Sequence, residues 1–252
     1  MGVKKPRRMS KSAIVYIPVG ALLIVLLTIL GTSGFLSVME IEVDGVSMYS
    51  AAEVAAVSGI SLGDNLLFVD TSAASRRIQV AMPFISAVNI TRVPPARVRI
   101  EVQESIALAT IAARSDVIVI DSAGRVLQRS ASAPAGLIEV RGITPREAIE
   151  GGRIRAEQGG DLQLQNMLDV LAAIEREGIQ RDISYLDVNN IAQISFGYMG
   201  RFRVILGGPN NLRQKLTSLA GAIARFEERE SAVVTGTWRA EATGDWLWIP
   251  DF

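Results

Sequence analysis

The sequence predicts an α+β chain: a single N-terminal transmembrane helix, a small domain ordered strand, helix, helix, strand, strand, and then a β-rich domain with flanking helices. Three observations carry this. A long uncharged apolar run stands near the start, segments of period two recur from residue 38 onwards, and capped helical stripes interrupt them.

The apolar run, Ala13 to Leu36, is 24 residues long. Roughly 20 helical residues suffice to cross a bilayer core. A cleaved signal peptide has a shorter apolar region, about 7–15 residues, and a small-residue cleavage site; no such site follows here. Pro18 falls in the first turns, where a missing N–H matters least. Lys4, Lys5, Arg7, Arg8 and Lys11 precede the run with no acidic residue among them. They set topology: residues 1–12 form a cytoplasmic tail, 13–36 span the cell membrane, and everything later is extracytoplasmic. The net charge of zero is therefore a sum over two compartments, since the other 21 basic and all 26 acidic residues follow Met39.

Val38 to Val43 alternates, with Met39, Ile41 and Val43 on one face, and stops at Asp44-Gly45. Ser50-Ala51-Ala52-Glu53 has capping-box spacing, so a short helix follows and ends at Gly59. Thr71 or Ser72 caps a second helix ending near Pro83. Ile85–Arg92 is a strand, Pro94-Pro95-Ala96 a turn, and Arg97–Glu104 a strand with Val98, Ile100 and Val102 inside. Two helices can cover one apolar face of this three-stranded sheet.

Beyond it, Val117–Ile120 and Arg125–Leu127 flank a turn at Asp121-Ser122-Ala123-Gly124 and predict a hairpin. Residues 130–160 are rich in Gly, Pro, Ser and Ala and read as loop. Asp161–Glu177 is a helix with Leu164, Leu168, Leu171 and Ile174 on its stripe and Gly178 at its end. Ile183–Val188 and Ile191–Phe196 predict a second hairpin, and Phe202–Leu206 a strand. Asn211 with Gln214 resembles a capping box for a helix running to about Arg229. The last segment returns to strand-forming residues and holds Trp238, Trp246 and Trp248.

The chain has no Cys and no His. That excludes disulfides, thiol nucleophiles, His-bearing metal sites and Ser-His-Asp catalysis. What remains is carboxylate chemistry and anion binding. Gly207-Gly208-Pro209-Asn210-Asn211 precedes a helix but lacks the Lys-Ser/Thr of a P-loop. Glu227, Glu228 and Glu230 form a charge run of the kind that is usually a solvated face. Asp182 and Asp187 flank a strand with no pocket implied. Arg97 and Arg99 share their strand face with Glu101, which favours a solvated face over a phosphate or lipid contact. No catalytic residue, metal site, cofactor, nucleic acid or small-molecule substrate is expected. The Trp residues of the tail are either a cap over the β-rich domain or a partner contact, since Trp is enriched at interface hot spots and sheet edges accept partner strands.

The residues resemble the FtsQ/DivIB cell-division family. Phe35-Leu36-Ser37-Val38-Met39-Glu40-Ile41-Glu42-Val43-Asp44-Gly45 is similar to the family's opening strand, and Ser58–Leu66 to its Gly-Ile…Gly…Asn-Leu stretch. Arg92–Val98 with Glu101–Glu104 resembles its hairpin, and Ile120–Leu127 its Ile-Asp…Gly segment. Tyr198–Phe202, Leu206-Gly207 and Leu212–Leu216 resemble its late strand and helix. The order and spacing of these pieces after one anchor make the resemblance specific. After Gly236 the family has a hydrophobic residue and then Asp, where this chain has Trp238-Arg239.

The resemblance implies a POTRA domain (βααββ) at 38–106, a β domain at 110–235 and a C-terminal tail at 236–252. It implies a scaffold at the division septum that binds the membrane proteins FtsL and FtsB/DivIC near the septal peptidoglycan synthases. It points to Val233, Val234, Trp238, Trp246 and Trp248 as partner-binding residues. Two other functions compete: a POTRA-containing envelope export or assembly factor, and a membrane-anchored wall enzyme using carboxylates. The first usually continues into a membrane barrel, which residues 110–252 are too short and too helical to supply. The second needs two carboxylates at catalytic separation in a cleft.

Overall fold

The structure is a computed structural model and describes residues 11–32, 36–146, 148–228, 235–241 and 243–251; in the first helix it describes the side chains of 16–28. Helix α1 runs Lys11–Thr32 with Pro18 inside it. Among the described residues no helix is long and apolar enough to cross a membrane. The apolar run was expected to continue as helix to Leu36. Instead, Leu36 lies in a 3₁₀ turn and its carbonyl accepts the Leu66 N–H at 2.7 Å, so the end of the run belongs to the folded region.

Contacts divide the chain into two compact units, residues 1–78 with 87–103 and residues 79–86 with 104–252. Through the first unit run β1 (Glu40–Asp44), α2 (Ala51–Ser58), α3 (Thr71–Ala81), β2 (Ile85–Val93) and β3 (Arg97–Glu104), with sheet order β1-β3-β2 and β1 parallel to β3. Ser50 forms the expected capping box. Its Oγ accepts the Glu53 N–H at 3.2 Å, and its own N–H donates to the Glu53 carboxylate at 2.8 Å. The Ser50 side chain, and then its backbone, hold the Glu53 carboxyl below its ordinary pKa. Gly59 closes α2 in the left-handed conformation.

Two local expectations change. Asp70, not Thr71 or Ser72, caps α3: its carboxylate accepts the Ala73 N–H at 2.9 Å. At the start of β1, Val38 is buried and Met39 is exposed, the reverse of the simple alternation. Val38 is pinned by exchanging backbone bonds with Asp64 and Gly63, both 2.8 Å, before the strand begins. Within β3, Val98, Ile100 and Val102 are buried as their period requires.

The second unit is built on a nine-stranded sheet. Its strands are β4 (Ala109–Ala112), β5 (Val117–Ile120), β6 (Val126–Ser130), β7 (Ile138–Arg141), β8 (Ile183–Asp187), β9 (Ile194–Tyr198), β10 (Phe202–Gly207), β11 (Gly236–Ala240) and β12 (Trp246–Pro250). Their order is β12-β11-β10-β9-β8-β7-β4-β5-β6. Helices α4 (Asp161–Glu177) and α5 (Leu212–Glu227) pack together and share one core with the strands. The buried stripe of α4 is Met167, Val170, Leu171 and Ile174; Leu164 and Leu168 pack at its margin. Strand β7 arises inside the stretch read as loop. Residues 236–252, set off by sequence as a tail, supply β11 and β12 of this sheet.

Candidate partner-binding edge

Strand β10 and β11 are parallel, with Val204 opposite Trp238. Parallel neighbours need a crossover, and α5 provides it. Lys215 fixes the start of α5 to the end of β10: its ammonium donates to the carbonyls of Leu206 at 2.7 Å and Gly208 at 2.9 Å. Burial pulls the Lys215 pKa below the ordinary lysine value. Asn211, expected as a side-chain cap, makes no cap hydrogen bond; it adopts the left-handed conformation instead, and only its carbonyl serves the helix.

With α5 laid over this end of the sheet, the tail Trp residues turn towards it. Trp238 is buried, 4% exposed, and Trp248 lies directly opposite on antiparallel β12. Phe226 of α5 meets both rings, edge-on to Trp238 at 5.4 Å between centroids and tilted against Trp248 at 4.6 Å. Phe202 meets Trp248 edge-on at 5.7 Å. The Trp246 indole N–H donates to Ser218 of α5 at 2.9 Å. Gly236 permits this packing, since a Cβ there would overlap the Trp248 ring and the Ile249 carbonyl. A cavity of about 330 Å³ lies against these rings, lined by Ser218, Ala222, Arg225, Phe226, Trp238 and Trp246 among others.

The backbone of β12 is arranged differently from its side chains. Glu241 donates to Asp245 at 2.9 Å and Asp251 to Thr235 at 3.3 Å. Antiparallel pairs alternate between bonded and non-bonded. The bonded pairs are therefore Thr237–Ile249 and Arg239–Leu247, and the pairs at Trp246, Trp248 and Pro250 aim their backbone groups outwards. Among the described residues β12 is the terminal strand of the sheet, so these groups form an open edge. Pro250 sits where its missing N–H costs the internal ladder nothing.

Of the five tail residues singled out by sequence, the structure brings together Trp238, Trp246 and Trp248; Val233 and Val234 lie outside the described residues, as do Lys4, Lys5, Arg7 and Arg8. Lys11 opens α1, and its side chain is outside the description. Phe202, Phe226 and Ser218 were missed, because only the β10–α5–β11 crossover brings them to the Trp pair. Arg97 and Arg99 are taken up by Glu40, at 2.8 Å, and Glu42, at 3.1 Å, across the parallel β1–β3 register. Glu227 pairs with Arg201. Among the described residues no group of three or more His, Cys, Asp or Glu side chains is placed to hold a metal.

Residues 36–105 match the family model of the FtsQ-type POTRA domain. The chain is 30% identical to the cell division protein FtsQ of Corynebacterium glutamicum over 82% of its own length and 89% of the relative. It is 24% identical to the cell division protein DivIB of Clostridium botulinum, covering 90% and 87% of the two chains. It is 27% identical to FtsQ of Streptomyces griseus, covering 70% and 81%. A POTRA domain of FtsQ type, a β-rich second unit and similarity along most of the chain converge: the protein belongs to the FtsQ/DivIB family of cell division proteins.

Proposed function

We propose that this chain is a non-enzymatic, single-pass scaffold of the division septum, anchored by the helical part of the apolar run that begins at Ala13, with its N-terminus in the cytoplasm. It binds FtsL and FtsB/DivIC and links them to septal peptidoglycan synthesis. One observation carries the reading: the open backbone edge of β12, stiffened from behind by the Trp238–Trp248–Phe226 packing. A partner segment added as a further strand gains ladder hydrogen bonds at Trp246 and Trp248, and its side chains read the surface at Leu247 and Ile249. In this reading the Trp residues act as a cap that shapes the interface, and Val233 and Val234 are partner contacts.

The test is co-purification of the membrane-anchored chain with its membrane partners from dividing cells. Recovery of FtsL and FtsB/DivIC with the parent chain, and their loss on charge substitution at Leu247, Val233 or Val234, supports the reading. Unchanged recovery with all three variants removes the edge assignment. Uniform membrane fluorescence of a fusion protein in dividing cells removes the septal role.

A further inference from the structure

A second surface has no part in that edge. The loop from Ser61 to Phe68 in the first unit carries three large exposed apolar side chains: Leu62 at 66%, Leu67 at 51% and Phe68 at 79% exposure. Isolated exposed apolar residues are ordinary, but three within one eight-residue loop concentrate apolar surface there. The loop is internally braced. Asp64 accepts the Ser61 N–H at 2.8 Å, and Asn65 accepts the Leu67 N–H at 3.0 Å through its side chain and the Phe68 N–H at 2.9 Å through its carbonyl. Leu66 and Val69 point into the core, and Arg92 holds the Val69 carbonyl at 2.7 Å. The polar side chains thus serve the loop's own backbone, and the apolar ones are presented outwards.

The same loop is bonded to the stretch that follows α1. Leu66 donates to the Leu36 carbonyl, and Gly63 and Asp64 bond Val38. Thr32 ends α1, and four residues of chain reach at most about 14 Å. The loop therefore stays close to the end of α1.

We infer that Leu62, Leu67 and Phe68 dock into the interfacial zone of the bilayer, holding the first domain against the membrane surface. The inference rests on the anchor reading given above. The short tether selects the occupant: an apolar patch held this near a membrane exit meets lipid before any diffusing partner. The headgroup region is wide enough to take aromatic and aliphatic side chains without spanning the core.

The chain lacks Cys, so single labelling sites are clean. The full chain is reconstituted into phosphatidylcholine–phosphatidylglycerol vesicles with a fluorophore at Phe68→Cys or Leu62→Cys. Reference labels are placed at Val25→Cys in α1 and at Met48→Cys, a 60% exposed residue beyond the far end of β1. Quenching by nitroxide-bearing lipids is then measured. The inference expects strong quenching at 25, and quenching at 62 and 68 at least threefold above that at 48. Quenching at 25 with 62 and 68 no higher than 48 overturns the docking and leaves the anchor standing. No quenching at 25 removes the anchor reading and the docking with it. Labels at 62 and 68 that are shielded from aqueous iodide yet untouched by lipid quencher mean that a protein covers the patch, which also overturns it.

Discussion

Trp238 and Trp248 face each other across β11 and β12, their indole centroids 5.0 Å apart and their planes tilted by 46°. They form a non-hydrogen-bonded pair, the closer of the two antiparallel geometries. One Trp is core and the other closes the edge strand onto it, so Trp248→Ala is expected to destabilise the second unit by about 2–3 kcal/mol and to release β12. Urea unfolding of the full chain in detergent, followed by Trp fluorescence, measures this; Trp248→Phe should recover most of the loss.

Gly236 is required by packing, not by its dihedral angles. Gly236→Ala inserts a methyl group where the Trp248 ring and Ile249 carbonyl already lie. The expected cost is about 1–3 kcal/mol, with a red-shifted or broadened Trp emission as the ring is displaced. Unchanged unfolding and emission would contradict the β11–β12 geometry.

Leu247 lies on the edge strand at 46% exposure. Leu247→Asp should change stability by about 0.5 kcal/mol or less, as for other exposed positions. Partner recovery in co-purification should nevertheless fall at least tenfold. The two readouts separate interface from fold.

Asp116 and Arg129 join β5 to β6 through a 2.6 Å ion pair. The hydrogen bond from Arg129 is the main reason the Asp116 carboxyl lies below its ordinary pKa, with the arginine charge adding to it against the opposing effect of burial. A depressed carboxyl stabilises the fold above its unfolded value, about pH 4, and this contribution is lost as the pH falls through the folded value. Arg129→Ala should therefore move the acid-unfolding midpoint to higher pH and leave the neutral-pH circular dichroism spectrum unaltered.

Ser50→Ala removes the acceptor for the Glu53 N–H and should cost about 1 kcal/mol. Ser50→Asp should restore most of it. Thermal unfolding of the two variants against the parent is the check.

The capping box at Ser50 and the period of β3 were legible because each is a short-range pattern that names its own partners. Strand β4 was not, because Ala109, Thr110 and Ile111 are all buried and leave no alternation to read. Strand β7 is only four residues long and sits among turn-forming neighbours, so composition masked it. At the candidate site, the sequence marked the three Trp but left their role between cap and contact. That choice depends on which strand ends the sheet, and strand order depends on the β10–α5–β11 crossover, a long-range pairing that local patterns do not encode. The partners of Arg97 and Arg99 are likewise long-range: only the β1–β3 register sets Glu40 and Glu42 beside them.

Pro250 bears on what the protein must avoid as much as on what it accepts. An open strand edge invites a second copy of the same edge, and repeated pairing of that kind leads to sheet growth and aggregation. With a proline among its outward positions, the edge of β12 offers a ladder that stops after Trp248 on the donor side. Two copies laid antiparallel would each meet the other's proline, so self-pairing is cut short at both ends. A foreign strand suffers the interruption only once. The residue thus biases the edge towards heterotypic over homotypic strand pairing and protects it from sheet growth.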